Sequence, residues 1–217
     1  MPAWIDLPDL SEIKLTTLGR LETLDITFTP RAAQGFVVPF FVCLALPALN
    51  RLDLHLDSEL SWSSAEFTQF QLSLPNMDYL SMSWSSIDSD DLMAILRHAP
   101  LLSELHLDGC AYAFDDNVVE ALCSSSQDPV PLVPHLHEIL VWNGCEAFED
   151  ETVDALIASR WWTEEQLAAF PSPPKVSRWS RIEICRDDSR NDDLELEFEA
   201  KLEEYRAQGL RVDIDVN

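Results

Sequence analysis

Positive charge is scarce in this chain. Its 217 residues carry 14 Lys and Arg against 39 Asp and Glu, a formal net charge of −25. Phosphate recognition needs clustered cations that release counterions, so the composition argues against nucleic acid as a partner. An anionic membrane surface is disfavoured on the same ground. Glycine is scarce too. The five glycines (Gly19, Gly35, Gly109, Gly144, Gly209) are scattered, and no GxGxxG loop, Walker loop or G-x-S-x-G elbow can be written. The five cysteines (Cys43, Cys110, Cys123, Cys145, Cys185) are odd in number and form no CxxC pair, and no Asn-x-Ser/Thr acceptor occurs. Such thiols act as small apolar residues in a reducing compartment, so the expected location is cytoplasm or nucleus. Long apolar runs are missing as well. The best, "FVVPFFVCLALPAL", is interrupted by Pro39 and Pro47 and falls well short of the about 20 residues that span a bilayer. "MPAWIDLPDL" has no basic stretch before an apolar one, so no secretory leader is expected.

What the chain does have is a repeat. "LLSELHLDGCAYAFDDNVVEALC" (residues 101–123) returns as "HLHEILVWNGCEAFEDETVDALI" (residues 135–157). Leu102, Leu105, Leu107, Cys110 and Phe114 reappear as Leu136, Ile139, Val141, Cys145 and Phe148, in register to within one residue. "LGRLETLDIT", "LPALNRLDLHL" and "LPNMDYLSMSW" fill the same slots earlier, and "RWSRIEIC" and "GLRVDIDV" do so later. Leu24, Leu52 and Leu80 recur at an equal spacing of 28 residues, whereas the later copies are spread by insertions. This is a repeat of leucine-rich type. L-x-x-L-x-L encodes a short strand of period two, with motif positions four and six inward and three, five and seven on the other face. One such strand cannot bury its apolar side alone; stacked copies share one core.

The segments between strands carry helix-start signals. "IDSDDLMAIL", "FDDNVVEAL" and "FEDETVDAL" each set an apolar residue before an acidic cluster, where carboxylates cap free amides and suit the helix dipole. Ser63 and Glu66 have capping-box spacing. "SSSQDPVPLVPH" (124–135) and "PSPPKVSR" (171–178) are Pro-rich and read as loops. Gly109 and Gly144 are expected to turn the chain after a strand. In "LELEFEAKLEEYRAQGL", Phe198, Leu202 and Tyr205 share a helical face that Gly209 ends. The expected architecture is therefore an α/β, leucine-rich-repeat-like solenoid, with parallel strands on the concave face and helices or loops on the convex face. It takes residues 1–217 as a single domain, with a strand–helix–strand cap at about 179–217.

Reactive chemistry finds little support. A calcium loop starting at Asp188 would place Asp193 where the motif needs Gly. His55 and His106 lie a whole repeat apart, about 10 Å across a sheet of ~4.8 Å spacing, too far to share zinc. Cys110 and Cys145 recur at one repeat position, a pattern of a buried ladder, with a reactive thiol as the alternative. Trp161-Trp162 is either an exposed anchor or packing beneath the Pro-rich loop. No cofactor, metal or catalytic set is expected, and the chain is read as no enzyme.

"LPALNRLDLHL", "LLSELHLDGC", the "DDLMAIL" style of helix and the late "SRWWTEEQLAAF" segment together resemble the leucine-rich-repeat-like C-terminal region of fungal F-box proteins. The resemblance runs over nearly the whole chain. It implies a repeat region that recruits the substrate of a ubiquitin ligase, while an F-box binds the ligase adaptor. These 217 residues contain no F-box. Either the chain is a C-terminal portion, or it is a variant without the docking part; a ligase adaptor is a partner only if an F-box exists outside this chain.

The expected function is a non-enzymatic protein–protein interaction module, the substrate-recognition part of such a receptor. A structural scaffold or decoy is the alternative. Motif positions three, five and seven form the expected partner face: Arg51, Asp53 and His55; Tyr79, Ser81 and Ser83; Glu104, His106 and Asp108; Glu138, Leu140 and Trp142. Tyr79, His106 and Trp142 would stand away from the core among Glu104, Asp108 and Glu138, suited to a protein or peptide with a basic segment. Trp142 either anchors that partner or packs on the neighbouring insertion.

Overall fold

The leucine slots become a ladder. In the computed structural model, which describes residues 15–28, 41, 43–56, 62–123, 131–145, 150–186 and 196–216 (backbone alone at 144, 145, 186, 215 and 216), seven strands form one parallel sheet. They are β2 (Thr23–Thr27), β4 (Arg51–His55), β5 (Tyr79–Ser83), β6 (Glu104–Asp108), β7 (Glu138–Cys145), β8 (Arg181–Arg186) and β9 (Arg211–Val216), laid side by side in chain order. Two-residue strands β1 (Thr16–Thr17) and β3 (Leu44–Ala45) pair separately. Leu24, Leu52, Leu80, Leu105, Ile139, Ile182 and Val212 stand opposite one another across the sheet. Ile26, Leu54, Met82, Leu107, Val141, Ile184 and Ile214 form the second such row. Period-two side chains force both rows onto one face, and from β4 to β9 both are buried. They meet the buried faces of the helices in a single cluster that runs from Phe41 to Ile214.

Strands β4 to β7 are entered the same way. A turn closes from Leu49 N–H to the Leu46 carbonyl, and again from Met77 to Leu74, Leu102 to Ala99 and Leu136 to Val133. In all four the second residue is proline (Pro47, Pro75, Pro100, Pro134), whose fixed φ suits that turn position. The carbonyl just ahead of the preceding strand then accepts two N–H groups. Asn50 receives Asp78 and Tyr79, Asp78 receives Ser103 and Glu104, and Ser103 receives His137 and Glu138.

The connecting helices are α1 (Ser64–Gln71), α2 (Ser89–Arg97), α3 (Asp116–Leu122), α4 (Asp150–Arg160), α5 (Glu164–Ala169) and α6 (Leu196–Ala207). Asp88 and Asp91 make a reciprocal capping box at the start of α2, and Asp115 accepts from Val118 N–H at the start of α3. Ser63 departs from expectation. It occupies the N-cap of α1 but makes no side-chain capping bond; the Ser64 hydroxyl next to it donates to Asp91 instead, tying α1 to α2. A second capping box, Thr163 with Gln166, opens α5. α6 ends in a Schellman turn, with Leu210 N–H on the Tyr205 carbonyl, Gly209 N–H on that of Arg206, and Gly209 at φ +99°.

Gly109 follows β6 at φ +66°, a turn that favours glycine. Gly144 does not repeat this. It lies inside β7, which slips in register between Val141 and Cys145 and continues along β8, with Asn143 taking the left-handed backbone. The extra length of β7 is what separates the two "GC" dipeptides. Phe148 and the calcium-like loop from Asp188 lie outside the described residues, as does the Cys145 side chain. No helix among the described residues is long and apolar enough to cross a membrane.

Candidate functional site

The face of the sheet opposite the helices is built from rows of side chains, and parallel register decides who meets whom. Arg51, Tyr79, Glu104 and Glu138 stand in one row and continue into Arg181 and Arg211. Asp53, Ser81, His106 and Leu140 form the next, followed by Glu183 and Asp213. His55, Ser83, Asp108 and Trp142 form the third, nearest the strand ends. All nine residues expected to bind a partner therefore share this face.

The structure makes a stack of them. The Arg51 guanidinium lies 3.3 Å above the centre of the Tyr79 ring. Tyr79 Oη is 3.0 Å from His106 Nδ1, and the rings meet edge to face with centres 4.8 Å apart. Trp142 continues the series at 6.3 Å from the His106 ring. Tyr79 is consequently not an exposed anchor: only 5 % of its surface is accessible. Strands about 4.8 Å apart bring Arg51, directly opposite Tyr79, and His106, on the diagonal, into contact with its ring, so both cover it. Leu140, on the same face, is 1 % exposed. The centre of the face is thus closed and partly apolar, while Trp142 keeps a half-buried ring at its margin.

Burial sets the electrostatics. It pushes the Tyr79 hydroxyl above its ordinary value. Burial first, then the Arg51 and Arg181 guanidinium groups, holds the His106 imidazole below its ordinary value. His106 Nε2 is buried without a hydrogen-bond partner. The carboxylates expected to ring the aromatic residues divide into two groups. Glu138 is engaged by Arg211 at 2.9 Å and by the Ser180 hydroxyl at 3.2 Å, and Asp108 accepts from Asn143 at 2.9 Å. Asp53 and Glu104, half-buried beside Tyr79, have no hydrogen-bond or ion-pair partner among the described residues.

Other candidates resolve into packing. Trp161 is buried beneath the Arg178 guanidinium, 3.9 Å from its ring centre, and donates from Nε1 to Gln208. Trp162 meets Phe170 edge to face. Burial pushes the Cys110 thiol up to about 11, the opposite of an activated nucleophile. Cys110 and Cys123 are free thiols. Among the described residues no three His, Cys, Asp or Glu side chains converge to hold a metal ion.

Two residues escaped the sequence reading. Arg160 is fully buried at the end of α4, where it reads as an ordinary cation in a last helical turn. Trp84 follows β5 with φ +56°, in left-handed backbone that a bulky residue rarely takes. The signal for Trp84 is positional: the residues after β5, β6 and after Trp142 on β7 are Trp84, Gly109 and Asn143, and only the first is unsuited to the turn.

No family model, curated protein or solved structure matches the chain.

Proposed function

We propose that the chain is a leucine-rich-repeat-like solenoid that works as a non-enzymatic protein-recognition module, the substrate-recognition part of an F-box-type ubiquitin ligase receptor. One observation carries the recognition part of this reading. Asp53 and Glu104 are left unpaired on the open face of the sheet, either side of a rigid Arg51–Tyr79–His106 stack. Carboxylates held half-buried without a partner favour a cation arriving from outside, and the stack fixes their positions before it arrives. A basic segment of a protein partner fits this chemistry. The role in a ligase rests on the resemblance in the leucine repeats and in "SRWWTEEQLAAF".

The two parts are tested separately. Affinity purification of the full-length gene product should recover a ligase adaptor together with a second, substrate-like protein. Recovery of the second protein without any adaptor would leave the recognition module standing and remove the ligase role. For recognition itself, the double change Asp53→Asn with Glu104→Gln should weaken capture of that protein about tenfold while the melting temperature stays within a few degrees.

A further inference from the structure

We infer that Trp84 is the anchor on which a partner's arginine-bearing segment docks, at the rim where the strands end. This rests on the reading of the open face as a recognition surface and adds to it the anchoring residue and the chemistry of the segment.

The fold does not ask for tryptophan here. Three successive strands carry a left-handed residue at the same register position, where β5 and β6 end and β7 slips in register, and two of these residues, Gly109 and Asn143, are types that adopt this backbone cheaply. Trp84 is the costly one, and it is 48 % exposed, so burial does not offset the strain. Its setting is nonetheless built around it. A Cβ on Gly109 would come within 2.8 Å of the Trp84 ring, so the indole rests directly on bare backbone. The loop that carries it is pinned throughout. Trp84 N–H donates to the Asp108 carbonyl at 2.7 Å, Ser85 and Ile87 on the far side are buried, and Asp88 bridges to Tyr112 on the next loop. Tyr112 is itself 69 % exposed. A large aromatic surface on a rigid base loses little freedom on binding, which is the property of an interface anchor.

Charge names the visitor. Between residues 52 and 159 the chain holds twenty acidic residues and one cation, Arg97. Arg97 lies in the last turn of α2, whereas the rim lies by that helix's first turn at Asp88, roughly 12 Å away at 1.5 Å per residue. An exposed indole in so negative a field, with no cation stacked on it among the described residues, matches a guanidinium arriving on the ring.

The test uses a fluorescein-labelled octapeptide of alternating Arg and Gly, with a Glu–Gly peptide as control, read by anisotropy at 0.15 M salt. Wild type should bind the first and not the second. Trp84→Asn removes no charge and copies the residue at the Asn143 slot, so bulk attraction is unchanged. It should bind at least tenfold more weakly, with an unchanged or higher melting temperature; Trp84→Gly should do the same if the Asn variant misfolds. Hydroxyl-radical footprinting of the wild-type protein gives a readout that needs no variant: oxidation at Trp84 should fall when the peptide is present. Equal affinity for wild type and the Trp84 variants, or undiminished Trp84 oxidation, overturns the anchor. If Asp53→Asn with Glu104→Gln loses the peptide in that case, the open-face reading survives without it. No binding of the Arg peptide by wild type overturns the inference outright and leaves the proteins recovered with the full-length product to decide the open-face reading.

Discussion

His106 shows how one side chain can tie the open face to pH. Its imidazole is neutral in the folded protein because burial and two nearby guanidinium groups oppose its charge, so its folded pKa lies below the unfolded value of about 6.5. In that window the unfolded chain binds the proton and the folded one does not. The stability His106 contributes is therefore complete above pH 6.5 and drains as pH falls through its folded value. Thermal melts of wild type and His106→Gln from pH 7.5 to 5 should converge as the pH drops; a constant gap would place the titration elsewhere. Cys110 follows the same physics with a chemical readout. With its thiol raised to about 11 by burial, it should resist iodoacetamide at pH 7.5 in the folded state and react on unfolding, as peptide mass spectrometry would show. The burial of Leu105 and Cys110 was legible from the repeat, because each recurs in a slot where only an inward side chain satisfies the pattern. The burial of Tyr79 was not. Its motif position puts it on the open face, and only the contacts of Arg51 and His106 decide how much of it water reaches.

Between elements, one side chain braces the Pro-rich connection from α3 to β7. Arg160 ends α4 and sends its guanidinium under the connection from α3 to β7. Nη1 donates to the carbonyls of Val133 and Leu136, and Nη2 to those of Leu122 and Leu132, at 2.9 to 3.3 Å. The Trp179 ring lies 5.0 Å from its central carbon. Burial lowers its pKa only to about 10, so it stays charged at neutral pH, with carbonyl oxygens in place of a carboxylate. The planar fork is what lets one group satisfy four acceptors. Arg160→Leu should cost about 3 kcal/mol or more by orphaning them, and Arg160→Lys should recover little of it, both measured by urea denaturation. A Lys variant of wild-type stability would show that water serves those carbonyls as well. Nothing in the sequence announces this role, since the acceptors are backbone groups that every residue possesses. Helix starts were more legible, because Asp88 and Asp115 act within three residues of themselves. Ser63 was misread because its neighbour Ser64 found a partner on another helix. Gly144 was misread because "NGC" looks like "DGC" until the slip in β7 is known.

At the scale of the whole molecule, charge is distributed by position along the stack. Residues 52–159 hold twenty acids and one cation, and the remaining positions hold nineteen acids and thirteen cations. Among the described residues every ion pair draws its cation from between Arg178 and Arg211, and of the acids in residues 52–159 only Glu138 and Asp154 receive one. The sheet that joins the β4-to-β7 strands therefore works against mutual repulsion of its surface carboxylates. Screening should relieve it. Between 0.1 and 1 M sodium chloride the Debye length falls from about 10 Å to about 3 Å, so the melting temperature should rise over that range. A single substitution can test where the repulsion sits. Glu120 is exposed on α3, one helical turn from Asp116, so Glu120→Lys turns a like-charge pair into an attractive one. It should stabilise the protein by about 0.5 kcal/mol or more at low salt, and the gain should shrink as salt is added. A gain that persists undiminished at 1 M salt would point to helix propensity or packing instead of charge. A melting temperature that falls with salt in the wild-type protein would mean that its few ion pairs outweigh the repulsion of the acidic middle.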